Sequence, residues 1–176
     1  MAWTAPRTWT DGELVTKAIM DPHVRDNFLA VPHLIARKTA DESVISSTAF
    51  QDDDHLFFTL GVSEVWLVQY FLMARADPAG DIKIQFTGPS GCLPVFNSIV
   101  GTGSGAGALS YRWEALSTSQ SLGITSATVS ETIVISGHVV TGGTGGTFML
   151  QWAQVGSSGT ATKLMTNSAL MGMKLA

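Results

Sequence analysis

From Ser43 onward apolar residues recur at every second position in short runs, and each run ends in a cluster of Gly, Pro, Ser or Asp. Alternation at period two marks a strand with one buried face, whereas a helix repeats near 3.6 residues. Ile82, Ile84 and Phe86 alternate with Lys83, Gln85 and Thr87, and Phe148, Leu150 and Trp152 alternate with Met149, Gln151 and Ala153. The breaks carry turn chemistry at Asp77-Pro78-Ala79-Gly80, Gly88-Pro89-Ser90-Gly91, Thr141-Gly142-Gly143 and Gly156-Ser157-Ser158-Gly159. About eight strand candidates with turns every 8 to 12 residues or so, and no helices between them, predict a mainly β chain: an antiparallel β-sandwich or jelly roll. Glu64 to Ala76 mixes aromatic and aliphatic residues on both faces and predicts a central strand covered on both sides. Leu109, Tyr111 and Trp113 alternate as a strand would, although Leu109, Trp113 and Leu116 also fit helical spacing; their β surroundings favour the strand.

The segment before this pattern is helical in character. Thr10 followed by Glu13 has the form of a capping box and predicts a helix over roughly 11–20, with Leu14, Val15, Ala18 and Ile19 on one face. Asp21-Pro22 repeats the start signal and predicts a second helix to about Val31, striped by Val24, Phe28 and Val31 and stopped by Pro32. The chain therefore divides into a short N-terminal helical attachment arm, 1–38, and a β-sandwich domain, 39–176.

Charge separates the same two parts. Residues 1 to 54 hold nine acids and five bases, and residues 55 to 176 hold five of each, so the net charge of −4 lies wholly in the first third. With no basic patch to neutralise phosphates, nucleic acid is not an expected partner. Charged residues make up 14% of the chain, against roughly 25% in an ordinary soluble domain. A surface so poor in charge implies that part of it is buried against copies of the chain or a larger assembly. A membrane is not the expected cover, because the longest apolar stretch, Val65 to Ala74, is broken by Gln69 and falls short of the ~20 residues a helical span needs. The first residues, MAWTAPRTWTDGE, lack the apolar run of a signal peptide. Cys92 is the only cysteine, which excludes an internal disulfide and a thiolate cluster for zinc and suits maturation in a reducing cytoplasm.

Catalytic patterns are scarce. There is no G-x-S-x-G elbow and no S-x-x-K, and Cys92 has no identifiable base beside it. Gly103, Gly105 and Ala108 make a degenerate G-x-G-x-x-A match, but no acidic residue follows at the required distance and the flanks read as antiparallel strands, so a flexible loop is expected. Asp52, Asp53 and Asp54, followed by His55, are the weak candidates for a hard cation such as calcium, since adjacent carboxylates repel one another. Neighbouring residues of a strand point in alternate directions, and the run lacks the glycine and distal glutamate of an EF-hand loop. The expectation is a solvated turn between strands at roughly 43–50 and 55–60, with no metal and no cofactor assigned. The chain reads as a non-enzyme.

The arm carries the stronger signal. Trp3 and Trp9 flank Pro6 and Arg7 near an otherwise polar terminus, and with Leu14, Val15, Ile19, Val24 and Phe28 they form the predicted partner-binding set. Aromatic anchors of this kind dominate interface energetics.

These residues also carry a resemblance. Trp3, Pro6, Arg7, Thr8 and Trp9, then Gly12, Glu13, Val15 and Thr16, then His23, Val24, Arg25, Asp26 and Asn27 are similar to the pattern W-x-x-P-R-T-W, G-E-x-V-T, N-x-H-V-R-D-N that opens a group of tailed-phage and prophage virion proteins, with a departure at Asp21-Pro22. RKTADESV, Phe50 to Leu56, FTGPSG and LQWAQ resemble later stretches of that group, so the likeness covers most of the chain. It implies a virion structural protein assembled in the host cytoplasm: a trimer-prone β-sandwich fastened by its arm to the major capsid protein or another virion protein. Within the group the expected role is capsid decoration or cementing. The alternative is the receptor-binding head of a tail or head fibre, recognising host glycan or protein.

Overall fold

The alternating runs fold as strands of two stacked antiparallel sheets. The computed structural model describes residues 4, 5, 7–27, 33–101 and 109–176, the side chains of 33, 34, 109 and 110 excepted. Trp3, Pro6, Phe28, Val31, Pro32 and the glycine-rich stretch 102–108 lie outside the described residues. Two units separate, Met1–His33 and Leu34–Ala176.

In the larger unit, one sheet has the order β1 (His33–Arg37), β12 (Ala169–Lys174), β4 (Val65–Arg75), β9 (Glu131–Val140), β6 (Leu93–Gly101), β7 (Leu109–Trp113), with β11 (Thr162–Leu164) joining β2 (Glu42–Val44) to β4. The other has the order β3 (Gln51–Leu60), β10 (Gly146–Ala153), β5 (Lys83–Thr87), β8 (Gln120–Ser121). Leu109–Trp113 is a strand, in keeping with its alternation.

The core fills from both sheets. Leu56, Phe58, Ile84, Phe86, Phe148, Leu150 and Trp152 face Val68, Tyr70, Leu72, Phe96, Ile133 and Ile135, all buried. Phe86 is the hub, with its ring centroid 4.9 Å from Phe96, 5.4 Å from Tyr70 and 5.6 Å from Phe148, Trp113 standing edge-on to it. Such pairs add to the area they bury because ring edges and faces carry opposite partial charge. Buried polar groups pin the connections: the Gln154 amide donates to the carbonyls of Ser158 and Thr160 while its oxygen accepts from the Ser47 and Ser158 amides.

β4 departs from its expectation. Val68, Tyr70, Leu72 and Ala74 are buried, but Leu67 and Phe71 on the opposite face are 42% and 36% exposed. The strand is central, as its composition implies, yet within the chain only one of its faces is covered.

The N-terminal unit differs from its helix expectation as well. Residues 13–16 are not helical. The Glu13 amide donates to the Thr10 carbonyl, closing a turn that Gly12 enables with φ of +80°. The α-helix α1 spans only Lys17–Met20 and runs straight into a π-type turn, Asp21–Arg25. Pro22 cannot donate and its ring crowds the preceding turn, and widening that turn, so that the Asp26 amide reaches the Asp21 carbonyl, lets the helix pass through instead of restarting.

Candidate functional site

Two features of the sandwich are chemically unusual: an outer face of the larger sheet whose central rows carry no charged residue on β4, β6, β9 or β12, and a buried ion cluster at the start of β3.

Register defines the face. Leu93, Val140 and Val65 form one cross-strand row, Val95, His138, Leu67 and Met173 the next, and Ile99, Val134 and Phe71 a third. The row between the last two is Asn97, Ser136, Gln69 and Met171. Leu93, Val95 and Ile99 are 57%, 43% and 58% exposed. No Asp, Glu, Lys or Arg stands in these rows on β4, β6, β9 or β12. An antiparallel sheet with one solvated face normally alternates apolar with polar residues. Here the outer face is largely apolar as well, its apolar rows interrupted by His138 and by the polar row of Asn97, Ser136 and Gln69.

The second feature begins with an irregularity. Between β3 and β10 the register jumps: Met149 pairs with Phe57 but Gln151 pairs with Asp52, leaving the residues between on β3 without ladder partners. A bulge re-aims side chains and frees backbone amides. Both effects operate here. Asp53 turns inward, and its Oδ1 accepts the freed N–H groups of His55 at 3.0 Å and Leu56 at 2.8 Å. Its Oδ2 lies 2.6 Å from Lys38 Nζ, and the side chains of both residues are fully shielded from solvent. Lys38 Nζ also donates to Glu42 Oε1, on the first residue of β2, which pairs with Leu164 of β11. Glu42 Oε1 in turn accepts the Asp54 amide at 3.2 Å and faces His55 Nδ1 at 3.4 Å, while Thr39 Oγ1 holds His55 Nε2 at 3.0 Å. The Tyr70 hydroxyl, buried without a hydrogen-bond partner, is held protonated chiefly by burial and further by the charge of Asp53.

The Asp52 to Asp54 run is therefore no turn; β3 passes straight through it. Nor do its carboxylates converge. Asp52 accepts from Gln151 Nε2 at 2.6 Å, Asp53 points into the core, and Asp54 is exposed. Strand alternation separates them. The groups that do come together are Glu42, Asp53 and His55, whose ligand atoms lie within 4.8 Å of one another. The Lys38 ammonium already contacts both carboxylates, supplying the positive charge that a cation would bring. Sequence reasoning missed Lys38 and Glu42. RKTADESV holds a lysine and a glutamate four apart, but they precede the acidic run by ten residues or more, and nothing in the spacing said that the lysine turns inward.

In the N-terminal unit, Arg7 pairs with Glu13 and its guanidinium lies 5.1 Å from the centroid of Trp9. Trp9, Leu14, Val15 and Val24 are exposed, and Ile19 is half-buried. Leu14 and Val15 precede α1, so they share no helix face with Ile19. Asn27 locks the unit by exchanging two hydrogen bonds of 2.8 Å with the backbone of Thr4.

No known family model matches the chain, and no curated protein matches it in sequence.

Proposed function

We propose that the chain is a non-enzymatic structural protein of a phage virion, a capsid decoration or cementing protein that assembles as a homotrimer on the particle exterior. The observation that carries the assembly reading is the outer face of β4, β9 and β6. Its residues have the composition of a covered surface, yet the chain itself leaves Leu67, Phe71, Val95 and Ile99 open. Exposed apolar rows this close together, with only neutral side chains between them on β4, β6 and β9, favour an interaction surface. A charged partner would have its ions stripped of water against it, whereas an identical uncharged face would not. Copies of the chain are the occupants this chemistry favours.

The virion setting rests on the likeness of Trp3 to Asn27 and of the later motifs to tailed-phage proteins. The exposed Trp9, Leu14, Val15 and Val24 supply side chains for attachment. The test mixes purified full-length protein with capsids from the genome that encodes it and, separately, with host cells. Saturable, stoichiometric co-sedimentation with capsids supports decoration. Binding to cells but not capsids replaces it with the receptor-binding reading, and binding to neither removes both.

A further inference from the structure

We propose that Lys38 and Asp53 condense into an intramolecular amide, a covalent staple between the two sheets, with Glu42 as the proton-transfer group. This stands apart from the assembly reading and rests on the buried cluster alone.

Each part of an acyl-transfer site is present. The nucleophile is Lys38 Nζ, in hydrogen-bond contact with Asp53 Oδ2 at 2.6 Å, so that Cγ lies one bond beyond the contacting atom. Oδ1 of the same carboxyl is held by the amides of His55 and Leu56, two donors positioned for the negative charge that develops on that oxygen when Cγ becomes tetrahedral. Glu42 Oε1 touches Nζ and can take its proton, and His55 and the Asp54 amide orient that carboxylate. The β3 bulge turns both amides onto the Asp53 carboxyl; in a regular strand the N–H groups of neighbouring residues point to opposite sides and would not converge on one oxygen.

The balance closes without any added reactant. An ammonium and a carboxylate become a secondary amide and one water. The N–C bond forms, and the Cγ–Oδ2 bond breaks. Of the three protons on Nζ, one stays on the amide nitrogen and two leave with Oδ2, relayed through Glu42 Oε1. Nothing is oxidised or reduced, and the net charge of the pair is zero before and after.

Two further points favour it. Lys38 and Asp53 are fully shielded, so the site holds two ions in a low-dielectric interior, and condensation replaces them with a neutral group. Exclusion of bulk water also disfavours the reverse hydrolysis. Of the two carboxylates touching Nζ, Glu42 is the more exposed, at 14% for its side chain, and its contacting oxygen Oε1 is the one that takes the Asp54 amide, which leaves Asp53 as the acyl donor.

Mass spectrometry of the full chain after denaturation tests this directly. The expected result is a mass lower than that of the sequence by one water, with a single branched peptide joining the Lys38 and Asp53 segments after digestion. Asp53→Ala and Glu42→Gln should restore the full mass, the latter in a protein whose circular dichroism matches that of the wild type. Wild-type protein of full mass, with Lys38 open to acetylation once unfolded, overturns the proposal and needs no variant to do so. Water loss confined to a linear peptide, or a loop closed on Glu42, overturns the assignment equally.

Discussion

Glu64 Oε1 accepts a hydrogen bond of 2.8 Å from Lys174 Nζ, tying the entry of β4 to the end of the last strand. The other oxygen accepts from Trp66 Nε1 and the Gly61 amide. The Lys174 hydrogen bond is the main reason that this carboxyl lies below its ordinary range; burial works the other way, and the Trp66 and Gly61 bonds add to the lowering. A group whose folded pKa lies below its unfolded one stabilises at pH above the unfolded value, and that contribution is lost as pH falls through the folded value. Glu64→Gln should therefore be less stable than wild type at about pH 7, with the difference narrowing towards about pH 3. Urea midpoints at the two pH values check this; a gap that stays constant removes Glu64 as its source.

Gly137 occupies an inward position of β9 where any side chain would collide. A Cβ there would strike the Val95 carbonyl oxygen and lie 2.9 Å from Phe96 Cα, backbone atoms of β6 that cannot swing away. Gly137→Ala should cost about 1–3 kcal/mol or more, by forcing apart the β9–β6 ladder. Chemical denaturation measures it, and a neutral result would mean that β6 sits further from β9 than the register implies.

The inner face was legible because burial of one side imposes period two, and Ile82, Ile84, Phe86, Phe148, Leu150 and Trp152 all point into the core as that period predicts. The helical arm was less legible. Thr10 and Glu13 satisfy a capping pattern, but a cap cannot say whether the residues after it pack, and Leu14 and Val15 stay outside α1. The cluster at Lys38 was the least legible. It depends on a register jump between β3 and β10, and pairing between strands so distant in sequence leaves no local mark. The run Asp52 to His55 looked like a turn because acidic residues are rare in strand interiors; the lysine that makes Asp53 tolerable inside lies fifteen residues before it in the chain, beyond any local window.

Cys92 is 3% exposed, and burial pushes its thiol up to about 11. The thiolate is the reactive form, so the native protein should resist an aromatic disulfide reagent at about pH 8 and react fully once denatured. The raised value also means that the buried thiol's contribution to stability is intact below its unfolded pKa and fades as pH rises through about 11. Rapid native labelling would show that the β5–β6 turn opens locally without global unfolding.

Charges placed on the outer face separate folding from assembly. Leu67 and Ile99 point away from the core, and Ile99 is 58% exposed, so Leu67→Lys or Ile99→Glu removes little buried surface from the single chain. Each should leave the unfolding midpoint of the isolated domain within about 0.5 kcal/mol of wild type, the usual range for surface changes. In a trimer that buries these rows the same substitutions place an unpaired ion in an apolar contact, which costs several kcal/mol per desolvated charge, of the order of 3–5 kcal/mol. Sedimentation equilibrium should then show wild type as a trimer and either variant as a monomer. A wild type that stays monomeric at every concentration would mean that this face meets something other than its own copies, and the capsid surface would become the remaining occupant to test.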